Sequence, residues 1–96
     1  MNNPEKIKVT EFCTYQHIEI SFVRSLQQSG LIELTEDQEE LFVDAEQLQQ
    51  LEKLSRLHYD MDINLPGLES IHHLLKQMDD LQQEIYTLRT RLSIYE

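Results

Sequence analysis

Several kinds of residue are scarce in this sequence, and their scarcity excludes whole classes of function. The only glycines are Gly30 and Gly67, so no glycine-rich loop is present to surround a phosphate group. The single cysteine, Cys13, excludes an internal disulfide bond and a multi-cysteine zinc site, and its apolar neighbours predict a small buried side chain. No stretch approaches the roughly 20 apolar residues of a membrane span, and no apolar signal-peptide core follows Met1. We therefore expect a small cytoplasmic protein.

Positive charge is also scarce. The net charge is −10, and no Lys or Arg occurs between Arg24 and Lys53. Such a surface repels DNA and anionic membranes, because binding them requires Lys and Arg to neutralise phosphates. It attracts a basic protein, although a solvated acidic face that only aids solubility is the other meaning of such a run. The candidate partner-binding residues are Glu33, Glu36, Asp37, Glu39, Glu40, Glu46, Glu52, Asp60 and Asp62.

The sequence also lacks groups that would converge on a substrate or a metal ion. His72 and His73 are neighbours, so on a helix they point about 100° apart and are poorly placed to hold one metal. Asp79 and Asp80 are likewise neighbours, whereas an acid/base pair must converge on one substrate atom. We expect no enzymatic activity, no cofactor and no metal site.

The first third of the chain predicts a helix-turn-helix. A short extended segment around Ile7 precedes a helix from Thr10, as N-cap, to about Gln16. Its inward-facing side chains are predicted to be Phe12, Cys13 and Tyr15. A second helix runs from about Glu19 to Ser29, and Gly30 ends it in a left-handed conformation. Two short helices separated by a three-residue bend are typical of a helix-turn-helix.

A β-hairpin and a third helix are predicted next. The hairpin strands are Leu31 to Leu34 and Leu41 to Val43, around an acidic turn from Thr35 to Glu40. Beside a helix-turn-helix, such a hairpin is a wing. Asp44 and Gln47 have the spacing of a capping box for a helix that extends to Met61. Its apolar face is predicted to contain Leu48, Leu51, Leu54, Leu57 and Met61.

The last quarter of the chain has the heptad pattern of a coiled coil. Pro66 lies in the first turn of the final helix, with Asn64 or Leu65 at its boundary. The core positions alternate in spacing between three and four residues, and we expect them to mediate dimerisation: Ile71, Leu74, Met78, Leu81, Ile85, Leu88, Leu92 and Tyr95. The alternative is a helix folded back on its own domain, and Leu68 and Leu75, just off the pattern, are expected to do some of that packing.

The direction of helix pairing stays open. Glu84 and Arg89 have the spacing of an ion pair between parallel helices, but one such pair contributes only tenths of a kcal/mol. The predicted domains are a winged helix-turn-helix over residues 1–62 and a coiled-coil dimerisation helix over residues 63–96.

Several short strings carry a family resemblance. In order, they are Thr10-Glu11-Phe12-Cys13, Gly30-Leu31, Phe42-Val43-Asp44, Arg56-Leu57-His58, Leu65-Pro66-Gly67 and Met78-Asp79-Asp80-Leu81. With the order of elements, they resemble the CbpM chaperone-modulator branch of the MerR-type helix-turn-helix superfamily over residues 7 to 92. The resemblance implies a mainly α, MerR-like winged helix-turn-helix with a small β-hairpin wing and a long C-terminal coiled-coil helix. It also implies that the chain binds the J-domain of a DnaJ-like co-chaperone of the CbpA type and hinders its work with DnaK.

A MerR-like DNA-binding regulator is the competing interpretation. In that family the second helix enters the major groove, and basic side chains of helix and wing contact the DNA. Arg24 lies where the family has an arginine, but Ser25 and Leu26 replace the aromatic pair expected after it. Glu39 and Glu40 lie in the wing, where the family has arginine. We therefore expect nucleic-acid binding to be the weaker hypothesis. A third interpretation, an adaptor coiled coil with another protein partner, shares every physical feature with the chaperone-modulator interpretation.

Overall fold

A computed structural model of the chain describes residues 6–95. Its elements are β1 (Lys6–Lys8), α1 (Val9–Gln16), α2 (Ile20–Gln28), β2 (Thr35–Asp37), β3 (Glu40–Asp44), α3 (Ala45–Tyr59) and α4 (Leu65–Ile94). The three strands form one antiparallel sheet in the order β1-β3-β2. The predicted fold class, a mainly helical winged helix-turn-helix followed by a long C-terminal helix, is confirmed.

The helix-turn-helix consists of α1 and α2, joined by three residues. His17 has φ 60° and ends α1, and the N–H of Ile18 donates to the carbonyl oxygen of Cys13 at 3.0 Å. The prediction that Thr10 is the N-cap was wrong, because Lys8 holds that position without a side-chain hydrogen bond. The strand β1 runs directly into the helix, and Val9, only 1% exposed, enters the core at the first helical position.

The end of α2 confirms the predicted glycine cap. Gly30 has φ 81°, its N–H donates to the Gln27 carbonyl at 3.0 Å, and the N–H of Leu31 donates to the Leu26 carbonyl at 2.9 Å. These two bonds form a Schellman motif, which satisfies carbonyl groups that the helix itself leaves unpaired. The turn directs Leu31 back toward the core.

The wing is a tighter hairpin than the sequence predicted. Leu31 and Ile32 are both buried, at 6% and 3% exposure, and are not part of a strand. Two adjacent buried residues do not alternate as strand residues do, so the predicted strand from Leu31 was wrong. The first strand of the wing is the acidic segment β2 instead. The turn contains only Gln38 and Glu39, with φ 53° and 66°, which is the type I′ geometry of two-residue hairpins.

The start of α3 lies where it was predicted, but its capping differs. Asp44 is the N-cap and makes no side-chain cap bond. The side-chain oxygen of Gln47 accepts a hydrogen bond from the N–H of Glu33 at 3.1 Å, so the predicted capping box does not form. The helix ends at Tyr59, and Met61 lies beyond it with 65% exposure rather than on its apolar face. Leu51 and Leu54 are buried as predicted, and Leu48 and Leu57 pack against the core.

The long helix α4 begins in the core of the winged helix-turn-helix. Asn64 is its N-cap, with a side-chain oxygen that accepts from the N–H of Gly67 at 2.9 Å, and Pro66 lies in its first turn. Leu68 is fully buried, and Ile63 and Leu65 pack against the same core. The packing expected of Leu68 is thus confirmed, whereas Leu75 is 42% exposed. The division at residue 62 stays a prediction.

One hydrophobic core is formed by all the helices and the central strand. Its buried residues are Val9, Phe12, Cys13, Phe22, Val23, Leu26, Leu31, Ile32, Val43, Leu51, Leu54 and Leu68. Burial raises the pKa of the Cys13 thiol, which disfavours its reactive thiolate form. Cys13 is therefore the small buried residue that its neighbours predict.

Candidate interaction surfaces

The tip of the wing places acidic side chains close together. Glu36, Asp37 and Glu39 are exposed, and Glu40 is half-buried. Asp37 and Glu40 lie directly opposite each other on the two strands, beside the turn. Two like charges in that position destabilise a hairpin slightly, so the local sequence is not optimised for the stability of the wing.

Arg24 of α2 lies beside this acidic tip. It lines a cleft of about 140 Å³ together with Glu39, Glu40 and Ile20. A guanidinium group next to two carboxylates has much of its positive potential offset, which weakens its attraction for a phosphate. Arg24 is thus an exposed residue whose nearest charged neighbours in this cleft are acidic.

Two buried carboxylate oxygens stand out on β3. Within the part of the chain that the structure describes, Oε1 of Glu40 and Oδ1 of Asp44 are enclosed and have no hydrogen-bond partner. Desolvation of an unpaired carboxylate oxygen is unfavourable, so the enclosure of these two atoms reduces the stability of the folded chain. This enclosure could not be predicted from the sequence, because it depends on tertiary packing.

The other predicted acidic residues are spread over the molecule. Glu33 is exposed in the loop before β2, and Glu46 is exposed in the first turn of α3. Glu52 and Asp60 line a different cleft from the one that contains Glu39 and Glu40. Asp62 is exposed after α3, with φ 59°. The structure thus divides the predicted residues between the wing and the α3 side, and their role in binding stays a prediction.

A groove between α1 and α3 was not predicted from the sequence. Its first part, about 390 Å³, is lined by Ile7, Glu11, Phe12, Tyr15, Gln16, Leu48 and Glu52. Its second part, about 220 Å³, is lined by Gln16, Ile18, Glu52, Ser55, Arg56, Tyr59 and Asp60. The two parts share Gln16 and Glu52, and together we call them the α1–α3 groove. Tyr15, predicted to face inward, is 81% exposed here, because Phe12 and Cys13 already fill the space beneath α1.

Three aromatic rings fix the position of α3 relative to α2 and α4. The rings of Phe22 and His58 stack with centroids 4.3 Å apart, and Tyr59 packs edge-on against both. Nδ1 of His58 lies 2.8 Å from the carbonyl oxygen of Ile63, in the corner before α4. His72 is hydrogen-bonded to Gln50 at 2.8 Å between α4 and α3. These two histidines have structural roles, and among residues 6–95 no cluster of side chains is suited to a metal ion.

Most of α4 presents an apolar stripe to solvent. Beyond Ile71, which lines a cleft against α3, seven of the eight heptad residues are at least 49% exposed: Leu74, Met78, Leu81, Ile85, Leu88, Leu92 and Tyr95. The helix has 30 residues, which is about 45 Å, and the described chain is 56 Å long. A contiguous apolar surface of this kind marks an interaction site. Over the described residues, no helix is both long and apolar enough to cross a membrane.

Comparison with known protein families shows to which family this chain belongs. No curated protein matches the chain. A family model described as "MerR HTH family regulatory protein" matches residues 7–90, from β1 through most of α4. The match covers nearly the whole chain and all seven elements of the structure, so the chain belongs to the MerR helix-turn-helix family of regulatory proteins.

Proposed function

We propose that this chain is a non-enzymatic chaperone modulator of the cytoplasm, which binds the J-domain of a DnaJ-like co-chaperone of the CbpA type and inhibits its action with DnaK. The observation that carries the proposal is the wing of this helix-turn-helix. It exposes Glu36, Asp37 and Glu39 where a DNA-binding wing would need positive charge. The resemblance of the chain to the CbpM branch supplies the identity of the partner.

The mechanism is competitive masking. The acidic wing and α3 attract the basic helix with which such a J-domain faces DnaK, and a J-domain covered in this way is no longer available to DnaK. Long-range attraction mainly accelerates and orients the encounter, whereas apolar contacts supply most of the affinity.

The α4 stripe supports a homodimer as the functional unit. An exposed heptad pattern is stabilised when a second helix covers it, and an identical α4 offers a matching stripe. A small core is also only marginally stable alone, so dimerisation contributes to folding. The two acidic surfaces of such a dimer are available to two partner molecules.

DNA binding is the second candidate, and membership of the MerR helix-turn-helix family favours it. In that case α2 would enter the major groove, with Arg24 on its exposed face. The acidic wing beside Arg24 opposes this function, because Glu39 and Glu40 lie where phosphates would approach. A gel-shift assay at low salt decides the ranking: tight, sequence-dependent binding of a duplex would place this function first.

Calorimetric titration of the purified chain with the J-domain of the DnaJ-like protein from the same genome tests the main proposal. We expect saturable binding that weakens as salt is raised, because screening reduces the attraction between opposite charges. Addition of the chain should also reduce the J-domain-stimulated ATPase activity of DnaK. Absence of binding at low salt would eliminate the J-domain as the partner.

A further inference from the structure

The α1–α3 groove combines features that the wing lacks. Apolar side chains of Ile7, Phe12 and Leu48 line its first part, and the ring of Tyr15 lies at its edge with 81% exposure. Exposed tyrosines beside an apolar groove are typical of residues that dominate binding energy, because the ring covers a large area with little loss of side-chain freedom. The sheet and the core hold α1 and α3 in place, so the groove is preformed.

The charges around the groove select the kind of partner. Glu11, Glu52 and Asp60 are negative, and Arg56 is the only basic residue that lines either part. The balance is therefore negative. An apolar floor with an acidic rim is complementary to an amphipathic helix whose apolar anchors are flanked by Lys or Arg. Nucleic acid offers neither the apolar anchors nor the positive charge.

The open shape of the groove suits the side chains of a partner better than a small ligand, which is usually bound in a more enclosed pocket. The first part, at about 390 Å³, lies at the lower end of pockets that hold small molecules, and both parts are open to solvent. A helix laid across α1 and α3 can insert apolar anchors into the two parts. The shared residues Gln16 and Glu52 lie at the junction and can meet polar groups between the anchors.

We propose that the α1–α3 groove is the docking site for a basic amphipathic helix, and that it supplies the apolar contacts of the chaperone-modulator complex. This inference rests on the proposed function and adds the surface on which the J-domain helix lies. Tyr15 is its main aromatic contact, and Glu52 pairs with a basic residue of the helix. The wing contributes to the encounter but not to the apolar part of the interface.

The test is calorimetric titration of the J-domain into two variants of the full chain, Tyr15→Ala and Glu52→Gln. Truncation of a tyrosine that the bound helix covers should weaken affinity by about tenfold. Glu52→Gln should weaken it less and should flatten its dependence on salt. Tyr86→Ala and Glu69→Gln are matched controls, because both residues are exposed on α4 outside the groove and off the heptad core. The controls should bind as the unaltered chain does.

Thermal unfolding and the solution mass of each variant complete the experiment. Both groove residues lie at the surface, so the variants should melt close to the unaltered chain. If the unaltered chain binds and both groove variants bind equally well, the groove proposal is overturned while the proposed function stands. If the unaltered chain does not bind, the proposed function itself fails. A change from dimer to monomer in Tyr15→Ala would overturn the proposal by assigning the groove to a second copy of the chain.

Discussion

The phenolic oxygen of Tyr59 accepts a hydrogen bond from the backbone N–H of Glu19 at 3.2 Å. Glu19 is the N-cap of α2, and Tyr59 is the last residue of α3, so the contact joins the start of one helix to the end of another. The same tyrosine ring packs edge-on against Phe22 and His58. The position of the second helix of the helix-turn-helix is therefore coupled to the C-terminal end of α3, where the α1–α3 groove also lies.

Tyr59→Phe removes the acceptor and keeps the ring. We expect the free energy of unfolding to fall by about 0.5 kcal/mol, because water can take the place of the phenol as acceptor for the exposed Glu19 N–H. Tyr59→Ala should be more destabilising, since it also removes the ring contacts. Urea unfolding monitored by circular dichroism measures both changes. Tyr86→Phe is the control, because Tyr86 is 74% exposed and its phenol can be lost with little effect. Equal stability of Tyr59→Phe and the unaltered chain would show that the bond contributes nothing.

Gly30→Ala tests the Schellman motif after α2. Gly30 has φ 81°, and a methyl group added there would meet no atom within 4 Å. The change should therefore cost only the backbone strain of a left-handed alanine, about 1 kcal/mol. Gln28→Ala, at the exposed end of the same helix, should leave stability close to that of the unaltered chain. If Gly30→Ala and Gln28→Ala have the same free energy of unfolding, the left-handed conformation assigned to Gly30 is contradicted.

The turn of the wing offers a change that separates stability from binding. Gln38 and Glu39 both have positive φ, where Asn and Gly are favoured, so Gln38→Asn combined with Glu39→Gly should stabilise the protein by about 1 kcal/mol. The same change removes one carboxylate from the acidic tip. We expect a higher unfolding temperature together with slower association with a J-domain. Gln38→Asn alone serves as the control, because it keeps the charge. A lower unfolding temperature in the double variant would contradict the turn geometry.

The features that the sequence predicted correctly are those set by local chemistry. The glycine at position 30, the helix boundary at Asn64 or Leu65 and the length of the final helix depend on residues near each other in the chain. The errors occurred where distant residues compete for the same group or space. Gln47 binds the Glu33 N–H instead of completing a capping box, and Tyr15 is excluded from a core that Phe12 and Cys13 already occupy.

The candidate sites also differ in whether they depend on residues near in sequence or on residues that meet only in the fold. The acidic character of the wing and the α4 stripe was visible in the sequence, because charge runs and heptads are one-dimensional patterns. The α1–α3 groove was not, since Ile7, Phe12 and Leu48 come from three elements and meet only in the fold. One signal was present: Tyr15 follows two residues that already fill the inward face of a short helix, and a third large side chain has no room there.

The apolar stripe of α4 yields the last prediction, which concerns the oligomeric state. We expect the unaltered chain to have twice its 11.5 kDa mass in solution at micromolar concentration, measured by light scattering after size exclusion. Leu81 is near the middle of the stripe and 57% exposed in the single chain. Leu81→Glu places a charge in the predicted interface, so the dimer should dissociate, because an unpaired charge is costly to bury.

Gln83→Glu is the matched control, because it adds the same charge two residues away, outside the heptad core. The control should remain a dimer. The unfolding midpoint of the unaltered chain should also rise with protein concentration, whereas that of Leu81→Glu should not, since only association links stability to concentration. A monomeric unaltered chain with a concentration-independent midpoint would mean that the stripe is covered by something other than a second α4.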